Sequence, residues 1–182
     1  MNKILLLVLL VFGISLGGEY NRKEWKHWRD LDKDGENTRQ EVLIEENLAS
    51  PDSTKYDEKG RIAQGRWICM FTGDTIYNAR ELDVDHLVPL KEAHLSGGEN
   101  WYETQKMLYA NFMDHTDHLV AVKASANRSK GAKDPSKWMP DVNKCWYLET
   151  WIRVKSNWGL DFDDAEADSI TKYKDQYDCG CE

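Results

Sequence analysis

Two short apolar runs, each leading directly into residues that can bind a metal ion or a phosphate, constrain this chain of 182 residues more than any other feature. The first is Asp83–Pro89, an alternating run that predicts a strand and is closed by a proline, which cannot donate to a strand ladder. The second begins at Leu119 and leads into the stretch Ser125–Gly131, which holds Asn, Arg and Lys side chains. The predicted order is therefore strand, long excursion, strand and short helix.

The polar residues of these runs are of the types that phosphodiester hydrolysis requires. Asp85 and His86 are neighbours in the first run, and Asn127 follows the second. A carboxylate and an amide oxygen suit a hard divalent ion such as Mg²⁺, and an imidazole titrates near neutral pH. Taken singly, each has a simpler explanation: an Asp–His pair can be a structural hydrogen bond, and Asn127 can be a helix N-cap. Together with nearby cations they form a set that can hydrolyse a phosphodiester with one divalent ion.

Asp85-His86, His118 and the sequence from Asn127 to Gly131 resemble the HNH, or His-Me finger, nucleases. The likeness is closest to the secreted HNH proteins related to the C-terminal part of GmrSD-type restriction enzymes, and it covers roughly residues 28–159. The resemblance implies an α+β fold in which a ββα-metal unit lies inside a mostly helical single domain. It also implies a metal-dependent endonuclease that acts on nucleic acid, with DNA expected more than RNA. Little sequence specificity is expected, because the sequence shows no separate recognition domain.

The same resemblance assigns a role to each site residue. His86 is the expected general base, and His118 is expected to orient the site or to bind the ion. Asp85 and Asn127 are the expected metal ligands, with Mg²⁺ the expected ion. The cations expected to contact backbone phosphates are Lys123, Arg128 and Lys130.

The net charge of −8 argues against general affinity for nucleic acid, but the charge is unevenly distributed. Residues 119–159 hold eight Lys or Arg against three Asp or Glu, whereas residues 160–182 hold two against eight. The basic segment is the one that carries Asn127 and Lys130, which favours a phosphate-binding surface there. The alternative is that these cations lie on ordinary solvated helix faces.

Residues 1–18 are predicted to be a signal peptide. Lys3 precedes an apolar run from Ile4 to Phe12, and small residues follow at Ser15-Leu16-Gly17. The run is short for a transmembrane helix, although an uncleaved anchor is the alternative. We therefore expect a secreted or periplasmic protein without stable membrane association after cleavage. Residues 19–182, with 41% hydrophobic and 11% aromatic residues in the chain, are expected to form one folded nuclease domain with a disulfide-linked C-terminal tail.

Four cysteines are expected to form two disulfides in an oxidising compartment. Cys179 and Cys181 are separated by a single glycine, which makes a bond between them strained. We expect them to pair with Cys69 and Cys145 in an order that the spacing leaves open. A zinc site built from all four cysteines is the alternative.

An acidic loop matches the EF-hand pattern D-x-D-x-D-G-x5-E at Asp30, Asp32, Asp34 and Glu41. It is a candidate structural calcium site, and it supports the alternative function of a non-enzymatic, exported calcium-binding module. A capping box running from Thr38 to Glu41 would explain Glu41 without calcium. A zinc hydrolase built from His86, His94 and His118 is disfavoured, because the chain has no His-Glu-x-x-His motif.

Periodicity and turn residues predict the remaining elements. Two strands, joined by a turn at Thr72-Gly73-Asp74, are expected at Arg61–Cys69 and Thr75–Tyr77. The predicted helices are Glu19–Leu31, Glu41–Asn47, Pro89–Leu95, Trp101–Phe112, Ala124–Ala132, Lys144–Trp158 and a last one that Asp163 caps and that ends near Tyr177.

Overall fold

The computed structural model describes residues 18–113 and 117–180, and in that part of the chain it confirms the α+β prediction. The strands are β1 (Lys55–Tyr56), β2 (Ile62–Ile68), β3 (Thr75–Asn78), β4 (Leu82–His86) and β5 (Leu119–Lys123). The helices are α1 (Thr38–Glu45), α2 (Leu90–Leu95), α3 (Glu103–Ala110), α4 (Ala124–Lys130), α5 (Lys144–Trp158) and α6 (Asp164–Gln176).

Strands β4 and β5 form an antiparallel pair at the centre of the described chain. Asp83 lies opposite Val122, and Asp85 lies opposite Val120. A hydrogen bond of 3.0 Å from the Leu87 amide to the His118 carbonyl extends the ladder by one step. Helix α4 starts directly after β5 and contacts both strands, so the strand–strand–helix order is as predicted.

A second antiparallel sheet has the strand order β1-β2-β3. The predicted turn joins β2 to β3, and Gly73 adopts the positive φ of +76° that this tight turn needs. The Trp67 indole, on β2, is buried and donates to the Leu43 carbonyl at 2.8 Å. This hydrogen bond fixes the sheet against α1.

Helices α5 and α6 agree with their predicted bounds to within a residue. Gly159 ends α5 with a left-handed φ of +61°, and the Asp163 side chain caps α6 by accepting from the Glu166 amide. The Lys155 ammonium is fully buried and lies 2.9 Å from Glu92 and 2.6 Å from Glu166. This ion cluster ties α2, α5 and α6 together.

The predicted helix at Glu19–Leu31 was wrong. Only a three-residue 3-10 turn forms there, at Arg22–Glu24. Trp25 is fully buried, but Trp28 has a φ of +57°, which a right-handed helix cannot accommodate. The segment instead packs against α3 as a series of turns, and the Lys106 ammonium of α3 pairs with Glu24 at 2.8 Å.

The cysteines follow the prediction only in part. Cys145, on α5, is bonded to Cys179, which rules out a zinc site that needs both as thiolates. Cys69 is free and buried, and its sulfur accepts from the Lys123 amide at 3.2 Å, so the bridge expected there is not formed. Cys181 and residues 1–17 of the predicted signal peptide lie outside the described residues. Within the described ranges, no helix is both long and apolar enough to cross a membrane.

Candidate active site

Four of the predicted site residues line one cavity of about 360 Å³, where the end of β4 meets α4. They are Asp85, His86, Asn127 and Arg128. The antiparallel register and the immediate start of α4 after β5 bring the two motifs together, although about forty residues separate them in the chain. The same cavity is lined by Tyr20, Arg22 and Lys91, which the sequence analysis did not select.

The His86 imidazole has a defined orientation. Its Nε2 lies 2.9 Å from the Ala110 carbonyl, which can only accept, so Nε2 carries the hydrogen. Nδ1 is then the unprotonated nitrogen, and no described residue donates a hydrogen bond to it. Burial lowers the pKa of His86 well below its ordinary value of 6.5, and the charges of His118, His27 and Arg22 lower it further. The ring is therefore neutral at neutral pH, as a general base must be.

Two aromatic side chains of the N-terminal segment contact this ring. The Trp28 indole is stacked on His86, with ring centroids 5.4 Å apart and planes inclined by 29°. His27 approaches the same imidazole edge-on at 6.4 Å. The spacing of Trp25 and Trp28 predicts a helix here and does not indicate a part in the site.

Asp85 is buried and paired with Lys130. The ammonium lies 2.7 Å from Asp85 Oδ2 and donates a hydrogen bond to the His86 carbonyl at 3.1 Å. Oδ2 thus has a counter-charge but no aligned hydrogen bond. Burial raises the pKa of the Asp85 carboxyl and lowers the pKa of the Lys130 amine, because each charged form has lost its water.

The Lys130 ammonium does not lie where a substrate phosphate could reach it. Lys130 follows Asn127 by three residues on α4, so both side chains face β4, and the Lys130 side chain is fully buried. The prediction that Lys130 contacts a backbone phosphate was therefore wrong. Lys130 is instead a buried counter-ion for Asp85.

Asn127 is oriented by Asp83, a residue that the sequence analysis did not assign to the site. Asn127 Nδ2 donates to Asp83 Oδ2 at 3.1 Å, which leaves Oδ1 without a hydrogen-bond partner among the described residues. Asp83 and Asp85 are two residues apart on β4 and share a face. The alternation of side chains along a strand could have predicted that Asp83 lies near the site. The Asp85 carboxylate and the Asn127 amide oxygen are hard donors of the kind that Mg²⁺ prefers, so the residues fit such an ion.

His118 lies next to the site but does not line the cavity. Its Nε2 contacts the Tyr109 carbonyl at 2.8 Å, and its ring is buried against Tyr109 and Phe112. His86 and His118 therefore bind the last two carbonyls of α3, at the helix end that carries partial negative charge. This placement suits an orienting role and keeps the His118 ring away from the substrate.

The cations divide into paired and unpaired groups. Lys123 pairs with Asp74 at 2.8 Å and lines a different cavity, whereas Arg128 lines the site. Arg22 and Lys91 also line the site, and like Arg128 they have no carboxylate within ion-pair distance in the described part of the chain. Three unpaired positive charges therefore surround the cavity.

The acidic loop forms a separate cluster. Asp30, Asp32 and Asp34 can place one carboxylate oxygen each within 4.8 Å of one another, and all three side chains are exposed. Each also accepts from a backbone amide of its own loop, which accounts for the loop's shape. Burial, and then the charges of these carboxylates, raise the pKa of Glu41, the fourth residue of the predicted calcium loop, which does not belong to the group of three. Helix α1 is capped by Asn37, which replaces the predicted capping box at Thr38.

The three histidines of the zinc alternative do not converge. His94 is buried, and its Nε2 contacts the Gly18 carbonyl at 2.8 Å. Over residues 18–113 and 117–180, the acidic triad is the only group of three His, Cys, Asp or Glu side chains close enough to share an ion. A zinc site of His86, His94 and His118 is therefore not formed.

Comparison with known proteins gives two matches. Residues 21–173 match the model of the family "GmrSD restriction endonucleases, C-terminal domain". A protein of Arthroderma benhamiae described as an "Uncharacterized secreted protein" is 31% identical over 154 residues, which is 84% of this chain and 72% of the relative. No solved structure matches the chain.

Proposed function

Because the chain belongs to the family of the C-terminal domains of GmrSD restriction endonucleases, we propose that it is an exported, metal-dependent HNH endonuclease that hydrolyses nucleic acid. DNA is the preferred substrate, with little sequence specificity. The observation that carries this proposal is the orientation of His86. Its Nε2 is held by the Ala110 carbonyl, which leaves Nδ1 unprotonated, and His86 lines the cavity that Asp85 and Asn127 also line.

In this proposal His86 is the general base. Nδ1 accepts the proton of the attacking water, and the Ala110 carbonyl stabilises the imidazolium that results by accepting from Nε2. The burial that keeps the ring neutral before the reaction also excludes bulk water from it. His118 does not touch the reacting atoms and orients the end of α3 that holds His86.

Asp85 and Asn127 would hold the divalent ion, most suitably Mg²⁺. When bound, such an ion stabilises the negative charge of the phosphate and of the leaving oxygen. Asp83 keeps the Asn127 amide oxygen free for this role by accepting from the amide nitrogen. Lys130 keeps Asp85 in place with its counter-charge.

Arg22, Lys91 and Arg128 would bind phosphates that flank the scissile bond. They lie on three different segments around one cavity and are free of ion pairs in the described residues. Contacts to phosphate carry no sequence information, which is why we propose low specificity. The overall charge of −8 limits the affinity outside this patch.

Export rests on three observations. Residues 1–18 have the composition of a signal peptide, the fungal relative is described as secreted, and Cys145–Cys179 is a disulfide of the kind that persists in oxidising compartments. We propose a secreted or periplasmic location.

The acidic triad favours a second, separate role as a structural calcium site. Calcium binding without nuclease activity would make the protein a non-enzymatic module. One pair of variants separates the two roles, because each loses one carboxylate from one candidate metal site. Asp85→Asn should abolish cleavage in the presence of Mg²⁺, whereas Asp32→Asn should leave cleavage unchanged and weaken calcium binding measured by calorimetry.

The decisive experiment is an in-gel DNA digestion with and without EDTA. We expect EDTA to abolish cleavage and excess Mg²⁺ to restore it. His86→Ala should lower the rate by about 10²–10⁴-fold, the usual contribution of a positioned base. Because His86 is not a proposed ligand, Mg²⁺ affinity should stay at the wild-type value. An active His86→Ala enzyme would show that the base is another residue.

A further inference from the structure

The end of α3 holds more than the His86 ring. Asn111, the residue after Ala110, is buried and uses its side-chain amide to bracket a short turn of the N-terminal segment. Its Nδ2 donates to the Lys26 carbonyl at 2.7 Å, and its Oδ1 accepts from the Arg29 amide at 2.8 Å. The Thr38 hydroxyl lies between this Oδ1, at 3.0 Å, and the Arg29 carbonyl, at 2.7 Å, and can donate its one hydrogen to either. Both ends of the turn from Lys26 to Arg29 are thus fixed by one side chain.

Trp28 lies inside this bracketed turn in an unfavourable backbone conformation. Its φ is +57°, in the left-handed region that bulky side chains rarely adopt. Such strain persists only where surrounding contacts over-determine it, and it is concentrated at functional sites. Asn111 supplies those contacts on both sides of Trp28.

The consequence of this conformation is the position of the indole. It is stacked on His86 at a centroid distance of 5.4 Å, while His27 contacts the same imidazole edge-on. The Ala110 hydrogen bond fixes the direction of Nε2, but a ring held by one hydrogen bond can still rotate about it. The indole face sets the plane of the imidazole and so completes the definition of where Nδ1 points.

We propose that the Asn111-bracketed turn is a device that positions His86, with Trp28 and Asn111 as positioning residues that act through the imidazole. This inference rests on the proposed function, in which His86 is the general base. Both residues are expected to affect the chemical step and to leave ion and substrate binding unchanged, because neither lines the cavity.

The first test replaces the stacking surface. Trp28→Leu keeps an apolar side chain but removes the aromatic face, and kcat should fall by about 10²-fold, the cost of a small misplacement of a catalytic group. KM and Mg²⁺ affinity should be unchanged. Trp28→Phe retains a stacking ring and should recover most of kcat. Trp138→Leu, which removes an indole that packs on Phe71 outside the site, is the matched control and should keep wild-type kcat.

The second test removes the bracket without touching the stack. Asn111→Asp keeps an acceptor for the Arg29 amide but loses the donors to the Lys26 and Met107 carbonyls. The lost bond should lower kcat in the same direction as Trp28→Leu. If both act through the same ring, the double variant should lose no more than the worse single variant. If the reductions of log kcat in the two single variants added fully in the double variant, the two residues would not act through the same ring.

A readout independent of activity separates this proposal from the proposed function. An indole stacked on His86 shifts the imidazole proton resonances upfield, so NMR of the wild type should show shifted signals that Trp28→Leu returns to ordinary values. All rates are to be measured well below the melting temperature of each variant, which removes loss by unfolding. Wild-type kcat in a folded Trp28→Leu would overturn the positioning proposal. Shifted imidazole signals in a protein that does not cleave DNA would overturn only the proposed function.

Discussion

Replacing Lys130 by Met tests the buried ion pair that holds Asp85. The ammonium is fully buried, the Asp85 side chain is nearly so, and the two charges lie 2.7 Å apart. Met retains the unbranched shape of the side chain as far as Cε but removes the charged nitrogen, which leaves a buried carboxylate without its counter-ion. Breaking a buried pair on one side costs about 3–5 kcal/mol. Since a domain of this kind has about 5–15 kcal/mol of stability in total, we expect a large loss.

The loss can be measured by urea unfolding followed through tryptophan fluorescence. Asp85→Asn combined with Lys130→Met should recover part of the stability, because no charge is then left unpaired. Mg²⁺ should stabilise Lys130→Met more than the wild type, because a divalent ion at Asp85 replaces the missing positive charge. At an ion concentration of 100 times Kd, binding to the folded state alone is worth about 2.7 kcal/mol.

DNA affinity separates this role from a phosphate contact. Each cation that neutralises a phosphate contributes about 0.9 to the slope of log K against log salt. Folded Lys130→Met should keep the wild-type slope, whereas Arg128→Ala should reduce the slope by about 0.9. A Lys130→Met protein within about 0.5 kcal/mol of wild-type stability, with a reduced salt slope, would refute the buried pairing.

Three further predictions concern acid–base behaviour and the disulfide. The base must be neutral, and the pKa of His86 lies well below 6.5. The loss of kcat on the acid side of the pH profile should therefore occur below pH 6.5. A loss that begins above pH 6.5 would contradict the conclusion that burial lowers this pKa. Burial raises the pKa of Glu46 from 4.5 to about 8. The stability that its protonated form contributes should therefore be lost as the pH rises from about 4.5 through 8. The urea unfolding midpoint of Glu46→Gln should not show this pH-dependent loss. Cys145→Ser should lower the free energy of unfolding by roughly 4 kcal/mol, because the lost disulfide spans 34 residues. Dithiothreitol should lower the unfolding midpoint of the wild type to that of the variant and should leave the midpoint of the variant unchanged.

The elements with local signals could be predicted from the sequence. Pro89 closes the run that contains β4, Gly159 ends α5 and Asp163 caps α6, and each of these signals acts within a few residues. The proximity of Asp85, His86 and Asn127 also followed from the strand–strand–helix order, because a helix that begins directly after β5, beside the start of β4, can run back along β4 toward His86.

The remaining features depend on contacts between distant residues. Trp25 and Trp28 have the spacing of a helix face, but the backbone of Trp28 is set by Asn111, which bonds to Arg29 across 82 residues. Lys130 lies in a basic segment that favours a surface position, and its burial depends on the orientation of α4 against β4. The role of Asp83 required knowing that Asn127 donates to it. The hydrophobic periodicity of the sequence does not predict any of these contacts.

The last two carbonyls of α3 also determine where this protein can tolerate changes of length. His118 and His86 bind the carbonyls of Tyr109 and Ala110, and the next residue brackets the Trp28 turn. One residue inserted within α3 would rotate its end by about 100° and move it by about 1.5 Å, which would offer each imidazole the wrong carbonyl. Residues added between Gly97 and Tyr102 would keep that register but would disturb the buried Gly98 and the packing of Trp101 on Trp25 and Tyr109. The length of the chain is therefore constrained both before α3 and at its end.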